Sequence, residues 1–232
     1  MGIEQSEGLK LSSDWDCNMG GVQLLTKSGS PNDPLRIAIF FSGSGTGMNA
    51  LLKHQNDAQC IHKTVVCVTD REDAGGIQFA KEHGIPVVIE TLNTNLPIEE
   101  RRSEHELRIS KQLDEANIDL IVLSGYMRLL SAEFVGRYYP RIINIHPSLL
   151  PAFPGKDAHT DVLASGVRVS GCTVHVVDAG MDTGPILAQR RVPVFTSDSR
   201  SQLSKRIQVE EHRLYPEVID LICSGVQFDL EN

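Results

Sequence analysis

The sequence predicts an α/β protein with a Rossmann-like, mostly parallel twisted sheet, flanking helices, and antiparallel strands on the C-terminal side of the sheet. Three observations lead there. Short continuous apolar runs recur, each the length of a strand buried on both faces. Segments with helical spacing separate them. After Val169 the pattern lengthens into two β-type stretches joined by a turn-rich loop.

The elements follow in order. Ile37 to Phe41 opens the series, preceded by a charge and followed by glycines. Val65 to Val68, Val87 to Ile89, Leu120 to Leu123 and Ile142 to Ile145 repeat the run. The spacing predicts helices over Met48 to His54, Gly75 to Gly84, Ile98 to Ala116 and Ser131 to Arg137, the third with Leu107, Leu113 and Ala116 on its inner face. Cys172 to Val177 and Ile186 to Val194 are the late strands, and Asp198 or Ser199 caps a last helix reaching Leu221, with a kink at Pro216. Residues 35–232 form one domain, and residues 1–34, acidic, aperiodic and closed by Pro31 and Pro34, form a loosely ordered extension. Met1-Gly2 with Ser6 matches only the minimal myristoylation pattern.

Composition narrows the function classes. With 232 residues, 41% hydrophobic and 22% charged, the chain can bury a full core without staples. Five scattered cysteines without a C-x-x-C pair point to a reducing, cytoplasmic setting, not a disulfide framework or thiolate zinc site. A net charge of −8 without a basic run argues against nucleic acid, and no apolar stretch is long enough to cross a bilayer. The eight histidines show no ligand spacing such as H-E-x-x-H, so no metal is expected, and His54, His62, His83 and His105 read as surface residues.

Two regions carry chemistry. The first strand runs into Ser42-Gly-Ser-Gly-Thr-Gly-Met48, where backbone N–H groups at a helix N-terminus can hold a phosphate; a tight turn would need the same glycines. A dinucleotide fingerprint fits less well, because position 48 is Met, although Asp70 ends the second strand. Asn144 and His146, two apart on a strand, share a face at the carboxyl end of the sheet. An amide beside an imidazolium supplies two donors for the oxyanion of acyl transfer. Alone they would read as a satisfied polar pair. The glycine-rich stretch His175 to Pro185 adds the carboxylates of Asp178 and Asp182, one of which could orient His146 and hold a proton-carrying water.

Asn-x-His-Pro-Ser-Leu-Leu-Pro at 144–151, together with the Asp182-x-Gly-Pro loop, resembles the formyl-folate transferase superfamily. Residues 35–228 resemble its phosphoribosylglycinamide formyltransferase family, which uses 10-formyltetrahydrofolate as co-substrate to formylate glycinamide ribonucleotide in de novo purine synthesis. The resemblance implies Asn144, His146 and Asp182 as catalytic residues, and Gly45, Thr46, Gly47 and Glu211 as the phosphate and ribose contacts. It implies a folate pocket of Arg102, Met127, Arg128, Leu129, Leu130 and Asn144 with the loop Asp178, Ala179, Gly180, Met181 and Asp182. Without it, Arg102 and Glu211 read as solvated helix charges, and Met127 and Leu129 as core. One departure is Gly47, where the family commonly has Asn, so a side-chain donor to the phosphate is missing.

Two alternatives stand beside this reading. A formyltetrahydrofolate deformylase resembles the same trio but carries an extra domain and a His-His-Ser motif, where this chain has His146-Pro147-Ser148. A non-catalytic nucleotide-binding module would use the glycine loop and Asp70 and leave the trio structural. Methionyl-tRNA formyltransferase resembles the unit with a tRNA-contacting domain appended, which acidity and length disfavour.

Overall fold

The computed structural model describes residues 16–230, so the myristoylation pattern at Met1, Gly2 and Ser6 lies outside the described residues. The chain forms β1 (Asp16–Cys17), β2 (Met19–Gln23), β3 (Leu35–Phe41), α1 (Thr46–His54), β4 (His62–Thr69), α2 (Gly76–Glu82), β5 (Val87–Ile89), α3 (Ile98–Glu115) and β6 (Leu120–Leu123). It continues with α4 (Ala132–Tyr138), β7 (Ile142–His146), α5 (Ala158–Ser165), β8 (Val169–Val176), β9 (Ile186–Pro193), α6 (Arg200–Ser224) and β10 (Gln227–Phe228).

Eight strands make one sheet in the order β1-β9-β8-β7-β6-β3-β4-β5. The strands from β5 to β7 run parallel, while β8, β9 and β1 add antiparallel pairs at one side. Alternate residues of β3 feed two cores: Ile37, Ile39 and Phe41 face α1 and α6, whereas Ala38 and Phe40 face α3 and α4. Chain order reverses between β3 and β6, and ligands of open α/β sheets gather at such a point. Buried Tyr215 ties the region together, its hydroxyl lying 2.9 Å from the Leu123 carbonyl at the carboxyl end of β6 and 3.1 Å from that of Ile143 within β7.

Several expectations need correction. The loosely ordered extension does not describe residues 16–34. β1 pairs with the sheet edge at β9, β2 pairs with β10, and Leu24 and Leu25 are buried in the larger core. Asn18 adds amide hydrogen bonds to the Ile186 and Asp229 carbonyls. A two-residue strand and a glycine-containing one carry too little periodicity to be seen. Leu25→Ala is expected to cost about 2–5 kcal/mol of stability, as for a buried leucine elsewhere. Chemical denaturation checks this, and a loss near zero would return the segment to a passive extension.

On α3, Leu107 is exposed, and the inner face is His105, Ile109 and Leu113. Ile109 and Leu113 are four apart, whereas Leu107 and Leu113 are six apart, which turns them to different faces. His62 and His105 are buried, not on the surface, held by Asp220 and Tyr126 respectively. α5, unforeseen, buries only Ala158 and Val162 and ends at Gly166, whose φ of 72° suits glycine. Ser199 takes the cap of α6 in a capping box with Gln202, while Asp198 pairs with Arg206, and the helix continues through Pro216 to Ser224.

Candidate active site

The site grows from β7 and its antiparallel neighbour. The register sets Asn144 opposite His175 and His146 opposite Thr173. His175 Nδ1 faces the Val176 carbonyl at 3.0 Å, which can only accept, so Nδ1 carries the ring proton and Nε2 the lone pair. Asn144 Nδ2 donates to that Nε2 at 3.1 Å, which fixes its amide and leaves its second N–H for a ligand. Burial pushes the His175 pKa below its usual value, in keeping with a neutral ring.

His146 is oriented likewise. Its Nε2 donates to the Phe153 carbonyl at 2.9 Å, so Nδ1 is the atom turned to Asp182, whose Oδ2 is 3.3 Å away. Asp182 adopts φ 55°, a left-handed conformation uncommon for a non-glycine residue, and its Oδ2 accepts from Gly155 N–H at 2.8 Å. Oδ1 points towards His175 Nε2 at 3.6 Å. One carboxylate thus stands between two histidines, and the 144, 146 and 182 side chains meet through a distant loop. Asn144, His175 and Asp182 line the cleft there, but His146 does not; its side chain, 6% exposed, lies behind Asp182.

The cleft wall also includes Arg102, Arg128, Leu129 and Leu130 and the loop from Asp178 to Met181. Met127 is not part of that wall, and neither it nor Leu129 is core, their exposures being 70% and 54%. Exposed apolar side chains beside a cleft are candidates for ligand contact. Asp178 accepts from Gly180 N–H and Thr183 Oγ and thereby shapes its own loop. Buried Glu106 grips Ser131 through its N–H and hydroxyl and anchors the 125–131 segment to α3. Arg128 pairs with Asp70 at 2.7 Å. That engagement counts against Asp70 as a ribose ligand and against the dinucleotide reading.

The glycine loop borders this cleft without lining it. Ser42 Oγ accepts from Met127 N–H, and Ser42 N–H donates to the Gly125 carbonyl. α1 starts after Gly45 without a side-chain cap, so the N–H groups of its first turn are available to an anion. Gly45 is also a packing requirement, with φ 73° and a Cβ that would come 2.5 Å from Gly76 Cα. A Cβ at Gly47 would lie 2.8 Å from Ser124 Oγ, so a hydroxyl occupies the space beside this loop. Gln208 reaches Thr46 Oγ1 at 3.2 Å, and Glu211 stands one turn further along α6. His175, Ser124 and Gln208 were missed as site residues; only the cross-strand and helix registers reveal them.

Glu211 keeps some solvent exposure, yet enough protein surrounds it that burial pushes its carboxyl up to about 7. The native state therefore holds this proton more tightly than the unfolded chain, and the associated stability, present at low pH, is lost as pH rises through 7. Glu211→Gln is expected to be more stable than the parent at pH 8, by on the order of 2 kcal/mol, and equal to it near pH 4.5. Thermal melts at the two pH values test this; a variant less stable at pH 8 would show that the carboxylate is favourably paired.

A family model described as formyl transferase matches residues 35–219. The chain is 35% identical over 190 residues to the trifunctional purine biosynthetic protein adenosine-3 of Bos taurus, covering 82% of this chain but only 18% of that protein. It thus spans about a fifth of the length of such animal relatives. The chloroplastic phosphoribosylglycinamide formyltransferase of Arabidopsis thaliana is 38% identical, with 84% of this chain and 68% of the relative covered. The crystal structure of glycinamide ribonucleotide transformylase 1 from Symbiobacterium toebii superposes with a TM-score of 0.78 at 38% identity, over 86% of this chain and 95% of that one.

Proposed function

Because the chain belongs to the formyl transferase family, we propose that it moves the formyl group of 10-formyltetrahydrofolate to the amine of glycinamide ribonucleotide. The observation that carries the proposal is the meeting of Asn144, His146 and Asp182, with His175 between, at the edge of an exposed cleft beside an uncapped helix N-terminus.

The acceptor's neutral amine attacks the formyl carbon, a C–N bond forms, and the carbonyl oxygen becomes an oxyanion. The second N–H of Asn144 donates to that oxygen, and His146, protonated and paired with Asp182, adds positive charge behind it. Asp182 takes the amine proton, partly through water, and delivers it to the folate nitrogen as the old C–N bond breaks. The proposal contains no covalent enzyme intermediate.

Leu129, Leu130 and the 178–182 loop form the folate wall, Arg102 and Arg128 offer charge to its carboxylates, and Met127 flanks the entrance. The α1 N-terminus with Gly45, Thr46 and Gly47 takes the phosphate. Ser124 Oγ stands where a larger residue at 47 would reach and is the candidate replacement donor. A carboxyl near 7 at Glu211 can both donate to and accept from ribose hydroxyls. Among the described residues no helix is long and apolar enough to cross a membrane, and all five cysteines are thiols. We place the protein in the cytoplasm, acting on small molecules and not on nucleic acid.

Mixing the protein with 10-formyltetrahydrofolate, with and without glycinamide ribonucleotide, and following absorbance tests the reading. Acceptor-dependent loss of the formyl group is expected. Acceptor-independent formate release would instead indicate a deformylase, and no reaction a binding module.

A further inference from the structure

At the end of α1 remote from the glycine loop, four side chains bring metal-binding atoms within 4.8 Å of one another: His54, Cys60, His62 and Asp220. His54 closes α1, Cys60 stands in the following loop, His62 opens β4, and Asp220 comes from α6. None takes part in the reaction proposed above. We propose that this cluster is a site for a divalent transition-metal cation of the zinc type, bound by His54 Nε2, Cys60 Sγ and Asp220 Oδ2, with His62 orienting the carboxylate.

Hydrogen bonding separates ligands from support. Gln55 Oε1 accepts from Thr64 N–H at 2.9 Å and from Thr64 Oγ1 at 2.8 Å. The backbone N–H can only donate, so the amide nitrogen of Gln55 is the atom turned to His62 Nδ1, 2.9 Å away. Nδ1 then accepts, the ring proton sits on Nε2, and His62 donates to Asp220 Oδ1 at 2.8 Å. His62 has no lone pair left for a cation, but it holds the carboxylate as hydrogen-bond donors to metal-bound carboxylates commonly do.

The other three groups are differently placed. His54 Nε2 and Asp220 Oδ2 are 2.8 Å apart with a proton between them that a cation can replace. Cys60 Sγ–H donates to the His62 carbonyl at 3.2 Å and would yield its proton to become a thiolate ligand. Nitrogen, oxygen and sulfur donors with a fourth position for water suit tetrahedral zinc, whose ligand atoms lie roughly 3.3–3.8 Å apart. His54 and Cys60 are half-buried, so their side chains can close that far and a cation can reach them. The bound ion would join α1, its following loop and α6.

The test uses the full chain, stripped of metal and kept reduced, titrated with Co²⁺ and then Zn²⁺. One equivalent of Co²⁺ is expected to bind with thiolate-to-metal charge-transfer absorption, to be displaced by Zn²⁺, and Zn²⁺ should raise Tm. Cys60→Ser should remove the band and His54→Gln should weaken binding, both in proteins whose metal-free melts stay cooperative. His62→Gln should keep the band, with affinity reduced roughly 10–100-fold. No band in the parent, or one that survives Cys60→Ser, overturns the site. Complete loss of binding in a cooperatively melting His62→Gln protein overturns the division of roles. Formyl transfer is not the readout, so the outcome is independent of the proposed reaction.

Discussion

Asp182→Asn is expected to lower kcat by roughly a hundredfold or more, with KM for both substrates changed only a few-fold. The substitution isolates charge from shape. Asn tolerates the left-handed backbone at least as well as Asp, and its amide oxygen can still accept from Gly155 N–H, so the loop should remain folded. Lost are the carboxylate that faces His146 Nδ1 and the group that carries the amine proton. Steady-state rates with each substrate varied separate the two parameters. Unchanged kcat would remove Asp182 from proton transfer, whereas a rise in KM alone would reduce it to a binding contact.

Asn144→Ala is expected to cost about 10²–10³ in kcat, the usual price of deleting one preorganised donor to an oxyanion. The same measurement tests His175 as a positioning residue, since His175 Nε2 is where one hydrogen of the Asn144 amide is fixed. If His175 acts by holding that amide, His175→Ala should slow the reaction by itself, while adding it to Asn144→Ala should cost little more. Fully additive losses would give His175 an independent role. A wild-type rate in Asn144→Ala would leave the oxyanion without its proposed donor.

Much of this architecture is legible along the chain because its cause is local. A strand buried on both faces must be apolar throughout, so Ile37–Phe41 and Leu120–Leu123 stand out, and the cap candidates Asp198 and Ser199 mark the start of α6, although the capping box with Gln202 that selects Ser199 is seen only in the structure. Asn144 and His146 share a face because strand side chains alternate. Illegible were features made by short or discontinuous contacts. β1 has two residues and borrows its stability from the edge of β9; α5 buries two side chains; helical rotation turns Leu107 away from the face that holds Leu113.

The histidines show the same divide. His175 pairs with a residue 31 positions away, and His62 with one 158 positions away, so no spacing rule within either segment could signal them. Residue patterns alone carry the α/β class, the order of the longer strands and helices from Ile37 onward apart from α5, and the residue types available at the end of β7. Only the tertiary structure decided that His146 lies behind Asp182, that Arg128 engages Asp70, and that Leu24 and Leu25 belong to the core. The reason is physical: periodicity and capping are set by neighbours a few residues apart, whereas hydrogen-bond partners, burial and proton positions are set by whichever distant segments packing brings together.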